Sequence, residues 1–157
     1  MKQLFTRLVP ALLVFCLALT ACGSQESLAG VDPAQTAQAL LDSGAFAGAL
    51  DTIDTEAACS LYGIDYADVT DGVVYGSLSS GAEEIAVLRM TSTDAAEAAL
   101  AGLEQRVADQ KAMLESYQPD EVSKLDQAIV TRLGDTAILV VAADAGKAQS
   151  TLDGLNK

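Results

Sequence analysis

Residues 73–91 read VVYGSLSSGAEEIAVLRMT, two strand-like runs about a turn. Two runs rich in β-branched and other apolar residues, 73–79 and 84–91, flank Ser80, Gly81 and Ala82, where the glycine suits a hairpin turn. An antiparallel strand pair is expected. A second pair is expected over 128–132 and 136–143, joined by Leu133, Gly134 and Asp135. Its latter run, TAILVVAA, is apolar at successive positions, so that strand belongs at the centre of the sheet under helices.

Each pair leads into a helical pattern. After the first, Thr93 or Asp94 is expected to cap the longest helix, which carries Leu100, Leu103, Val107, Leu114 and Tyr117 on one stripe before Pro119 stops it. Tyr117 is read as core with its hydroxyl at the surface. The opposite face is polar, and Glu104, Asp109 and Glu115 read as solvated. After the second pair, Asp144 begins a last helix bearing Leu152 and Leu155.

Upstream of both pairs, Asp32 and Pro33 supply an N-cap and a first-turn proline, and Ala34, Ala37, Leu40 and Leu41 recur at helical spacing up to Gly44. Residues 46–53 lack a clear period. A short helix is then expected over Thr55–Tyr62, capped by Asp54 and ended by Gly63. The expected fold is α+β: a four-stranded, mainly antiparallel sheet with helices packed on one face, strand-strand-helix twice after N-terminal helices. That order suggests a structural duplication, although no residue-level repeat accompanies it.

At the start of the chain, Lys2 and Arg7 precede an apolar run, residues 8–19, in the arrangement of a secretory signal. A dozen helical residues reach only about 18 Å into a hydrocarbon core about 30 Å thick, too little to span it. The run closes on Leu19, Thr20, Ala21 and Cys22, which together resemble a bacterial lipobox. That resemblance implies a signal peptide over residues 1–21, recognised through Leu19, Thr20 and Ala21, and a lipid on the Cys22 thiol. Residues 22–31 then read as the lipidated cysteine and a flexible tether, and 32–157 as one domain. The expected location is the outer face of the cytoplasmic membrane, or an outer membrane where the host has one. No cofactor is expected beyond the covalent lipid. Cys59 is left as the sole thiol of the exported domain; beside Ala57, Ala58 and Leu61 it reads as buried core.

The chain carries nine Lys and Arg against 22 Asp and Glu, a net charge of −13, and removing residues 1–21 takes away two cations and no acid, leaving −15. Binding to a polyanion depends on clustered cations that release counterions. Nucleic acid is therefore not an expected partner. The partners left open are the membrane, through the lipid anchor, and an unknown protein or small ligand.

Three segments carry a family resemblance. Leu61-Tyr62-Gly63-Ile64-Asp65 precedes the first strand, Ala82-Glu83-Glu84-Ile85-Ala86-Val87 lies at the second, and Ser116-Tyr117-Gln118-Pro119-Asp120-Glu121 follows the long helix. In this succession the chain resembles the bacterial lipoprotein family of domain of unknown function 4358, over roughly residues 31–155. The resemblance implies location and fold and brings no catalytic residues with it.

The chain has no histidine, which removes the commonest general base and every Ser-His or Cys-His arrangement. Asp65, Asp68 and Asp71, followed by Gly72, raise a cation site, yet their every-third spacing does not match an EF-hand loop. A solvated loop is the expectation and calcium the alternative. Glu83 and Glu84 open a strand, where acids commonly guard a solvent-facing end. A partner-binding role for Glu83 and Glu84 is the alternative. The chain is therefore expected to be a noncatalytic binding domain at the bacterial envelope; an envelope enzyme using paired carboxylates and a cation-binding domain are the rivals.

Overall fold

The computed structural model describes residues 30–79 and 81–155. In chain order it comprises helix α1 (Pro33–Asp42), strand β1 (Leu50–Ile53), helix α2 (Thr55–Tyr62), a single 3₁₀ turn (Tyr66–Asp68) and strands β2 (Val69–Ser77) and β3 (Glu84–Met90). Helices α3 (Thr93–Leu114) and α4 (Pro119–Leu125), strands β4 (Ile129–Leu133) and β5 (Thr136–Val141), and helix α5 (Ala145–Leu155) complete it. The strands form one sheet in the order β1-β2-β3-β5-β4, with every neighbouring pair antiparallel.

The sheet has five strands where four were expected. The additional strand, β1, pairs Leu50–Ile53 with Val74 to Ser77 at the edge of the sheet. Its residues 51–53 are exposed, so backbone pairing and the packing of Leu50 on the core hold it, and no alternation of apolar residues is required.

Helices cover both faces of this sheet, not one. Ile85 and Val87 of β3 join Ile138 and Val140 of β5 under Ala37 and Leu40 of α1 and Ala148 and Leu152 of α5. Ala86 and Leu88 join Ala137, Leu139 and Val141 on the other face, beneath α2, α3 and α4. The reason lies in β3 and β5 themselves: strands apolar at successive positions expose hydrophobic surface on two sides, and each side must leave water. The duplication suggested by the element order also fails. A two-fold exchange of the antiparallel neighbours β3 and β5 turns about an axis perpendicular to the sheet and would put α3 and α5 on one face, whereas they lie on opposite faces.

Local chemistry sets most helix ends. The Asp32 and Asp54 carboxylates accept from the N–H groups of Gln35 and Ala57 at 2.8 and 2.9 Å, and Gly63 ends α2 in the left-handed region at φ 67°. The cap of α3 is Ser92, one residue before the expected position, accepting from the Ala95 N–H at 3.0 Å. Pro119, read as a stop, also starts a helix: it occupies the first turn of α4, where its missing N–H costs nothing.

The chain reaches the domain at the end of β3 occupied by Met90. The Val31 carbonyl accepts from Arg89 Nη2 at 2.9 Å, and a Cβ on Gly30 would fall 1.8 Å from Asp135 Oδ1. Gly30 and Val31, read as tether, are thus seated on the domain. Glu84 lies at the other end of β3, about 20 Å away at strand spacing.

Candidate functional site

Glu84 is the first residue of β3, and the register turns its side chain toward α3. It is 3% exposed. A buried carboxylate is tolerated only when paired and hydrogen-bonded, and this one has three donors. Tyr62 donates its hydroxyl proton at 2.7 Å, and Arg106 donates from Nε at 3.2 Å and from Nη2 at 2.6 Å. Burial, followed by the Glu84 charge and hydrogen bond, pushes the Tyr62 hydroxyl far above its ordinary pKa and keeps it a donor. Burial also works against the Arg106 charge, but the hydrogen bond and charge of Glu84 outweigh it and leave the guanidinium pKa raised.

Glu83 is equally buried but faces other partners. It accepts from the Ala47 and Gly48 N–H groups at 2.8 and 2.9 Å, pinning the loop that leads into β1, and lies 3.8 Å from Lys124 Nζ. Lys124 also donates at 2.9 Å to Glu121, which accepts from the Ala82 N–H at 2.8 Å. Lys124 and then that backbone N–H hold the Glu121 carboxyl below the usual carboxylate range. The expectation of a solvent-facing acidic strand end is overturned for both residues. Their partners come from 22 and more residues away, so no local pattern marks them as paired.

Beyond Arg106 the surface opens into a groove of about 460 Å³, lined by Gly81, Arg106, Gln110, Met113, Leu114, Tyr117 and Gln118. Tyr117 is 81% exposed, contrary to the core position expected for it. Helix α3 ends at Leu114, so Tyr117 lies in the turn before α4 and off the buried stripe. Met113 is 61% exposed. Gln110, by contrast, is 7% exposed. Its Nε2 donates to the Ala82 carbonyl at 3.4 Å, which orients the amide and leaves Oε1 as the acceptor on the other side. Among the described residues, Gln110 Oε1 is the one buried side-chain polar atom without a hydrogen-bond partner. Reading α3 for its apolar stripe missed Gln110, yet its spacing from Leu103 and Leu114 places it on that buried line.

The acidic loop does not converge. Asp65 caps the 3₁₀ turn by accepting from the Ala67 N–H at 3.0 Å, and with Asp68 lines a hollow of about 200 Å³. Asp71 lies on β2, 4.0 Å from Arg89, and lines a different hollow. Among the described residues no three His, Cys, Asp or Glu side chains gather as a metal site would require. Cys59 is fully buried as expected, and burial, then the Asp54 charge, raises its thiol pKa. Leu19, Thr20, Ala21 and Cys22 lie outside the described residues, and no described helix is long and apolar enough to cross a membrane.

A family model described as a domain of unknown function, DUF4358, matches residues 43–142. The match takes in all five strands, the Glu84 cluster and the whole groove, and leaves α1 and α5 outside. No curated protein and no solved structure matches the chain.

Proposed function

We propose that this chain, which belongs to the DUF4358 family, is an exported lipoprotein held by a lipid on Cys22, whose domain binds a ligand in the groove beside Arg106 and Gln110. The observation that carries the reading is Gln110 Oε1. A buried acceptor without a donor costs about 1–3 kcal/mol, and a folded protein rarely leaves one without reason. Here the acceptor belongs to a residue that lines a groove with apolar walls. Val31 meets the domain near the Met90 end of β3 and the groove opens near the Glu84 end, a separation that supports a ligand-binding lipoprotein.

The use of the acids supports binding rather than catalysis. Glu83 and Glu84 are committed to backbone N–H groups, cations and the Tyr62 hydroxyl, and neither lines the groove. Two measurements test the reading. Mass spectrometry of the membrane-extracted protein is expected to find a diacylated N-terminal Cys22, and a mature form beginning elsewhere would remove the anchor. A photoreactive side chain at Met113 is expected to give discrete adducts in the native host that the same group at exposed Leu61 on α2 does not. Equal labelling from the two positions would refute groove binding.

A further inference from the structure

Resting on that groove reading, we infer that its ligand is a neutral peptide segment, held by one backbone N–H on Gln110 Oε1 and one backbone carbonyl on Arg106, with an apolar side chain against Met113 and Tyr117.

Arg106 and Gln110 are one helical turn apart on α3, with Cβ atoms about 5–6 Å apart, and both line the groove. Arg106 spends Nε and Nη2 on Glu84, and among the described residues Nη1 has no acceptor. The wall therefore offers two N–H donors and one buried acceptor side by side. A peptide backbone presents the complement, N–H and C=O groups at a spacing of about one residue.

Charge decides between neutral and anionic ligands. The Arg106 charge is already matched by Glu84 at 2.6 Å, and the chain beyond residue 21 carries −15. A carboxylate or phosphate would find no unmatched cation here and would meet general repulsion. A carbonyl oxygen needs only the hydrogen bond. Apart from Gln118 the remaining walls are mostly apolar, and exposed Met113 is unbranched and able to reshape around an aliphatic side chain. Gln110 Oε1 is itself almost inaccessible in this conformation, so binding requires a rotation of the Gln110 or Met113 side chain to bring the acceptor to the ligand. A volume of about 460 Å³ is that of a small-ligand site and takes a segment of two or three residues.

The test uses the full protein extracted from membranes in detergent micelles, with its methionine methyls labelled with ¹³C. Met113 reports on the groove and buried Met90 serves as the internal control. The probes are acetyl-leucyl-alanine methylamide, depsipeptides in which each amide N–H in turn is replaced by an ester oxygen, acetyl-leucine as free carboxylate, and methyl glucoside. Saturable movement of the Met113 methyl by the amide is expected, with Met90 still. At least one depsipeptide should bind about tenfold weaker for want of the donor to a buried acceptor. In Gln110→Leu that difference should vanish while weak apolar binding persists. Equal binding of every ester, or preference for the carboxylate or the glucoside, overturns the peptide assignment and leaves groove binding standing. No movement of Met113 with any probe overturns both. The amide and ester comparison in the unaltered protein decides the matter even if the variant does not fold.

Discussion

Over residues 93–102, helix α3 meets the rest of the domain through Ala96, Ala99 and Gly102, and it comes so close that a Cβ on Gly102 would lie 2.4 Å from the Tyr62 carbonyl oxygen. Past Leu103 the inward positions are Arg106, Val107, Gln110 and Leu114, and the same helix carries a guanidinium, an unpaired amide oxygen and one wall of a groove. The first part gains from close packing, since small residues let helix and neighbour approach until dispersion contacts fill the space. The second part gives up some of that gain to hold polar groups at a surface. Close packing and the groove thus occupy successive parts of one helix, and the groove forms where the inward face no longer carries small residues.

Breaking the polar part at its centre should have the largest effect. Arg106→Leu leaves the Glu84 carboxyl group buried without its cation, and is expected to cost about 3–5 kcal/mol in urea unfolding. Adding Glu84→Gln should return part of that loss, and full additivity of the two would show that they do not act as a pair. Next comes the close-packed part. Gly102→Ala gains helix propensity but drives a Cβ into the Tyr62 backbone, for a net loss of about 1–3 kcal/mol by the same measurement. A neutral or stabilising outcome would mean that α3 is not held at that distance.

Tyr62 joins the two parts, with its carbonyl against Gly102 and its hydroxyl on Glu84. Folding raises its pKa, so the unfolded chain loses that proton first. Its contribution is complete below an unfolded value of about 10 and declines as pH rises above it, by at most about 1.4 kcal/mol per pH unit. Unfolding free energies between about pH 8 and 11 should therefore fall more steeply for the unaltered protein than for Tyr62→Phe. Parallel curves would indicate that the hydroxyl ionises as readily in the folded state.

These elements differ in how far the sequence discloses them. Thr55–Tyr62 is readable to the residue because its cap and its left-handed glycine act over a few positions. The central place of β5 is readable from its unbroken apolar run, and that run already required helices on both faces. Strand β1 is not readable, since with Leu50 packed on the core and residues 51–53 exposed it shows no alternating pattern, and its pairing is set largely by its neighbour's backbone. Glu84 has the appearance of a solvent-facing guard because its partners, Tyr62 and Arg106, lie 22 residues away on either side. Gln110 passes for part of a polar helix face; only its spacing from two buried leucines marks it otherwise.

On the proposed function Gln110 is kept for what it binds rather than for what it stabilises, and equilibrium urea unfolding of Gln110→Leu separates the two roles. Replacing the amide removes a weak 3.4 Å hydrogen bond together with an unpaired buried acceptor, two changes of opposite sign. The stability of the variant is expected to stay within about 1 kcal/mol of the unaltered protein. A loss well beyond about 2 kcal/mol would make Gln110 a structural residue of the fold and contradict the claim.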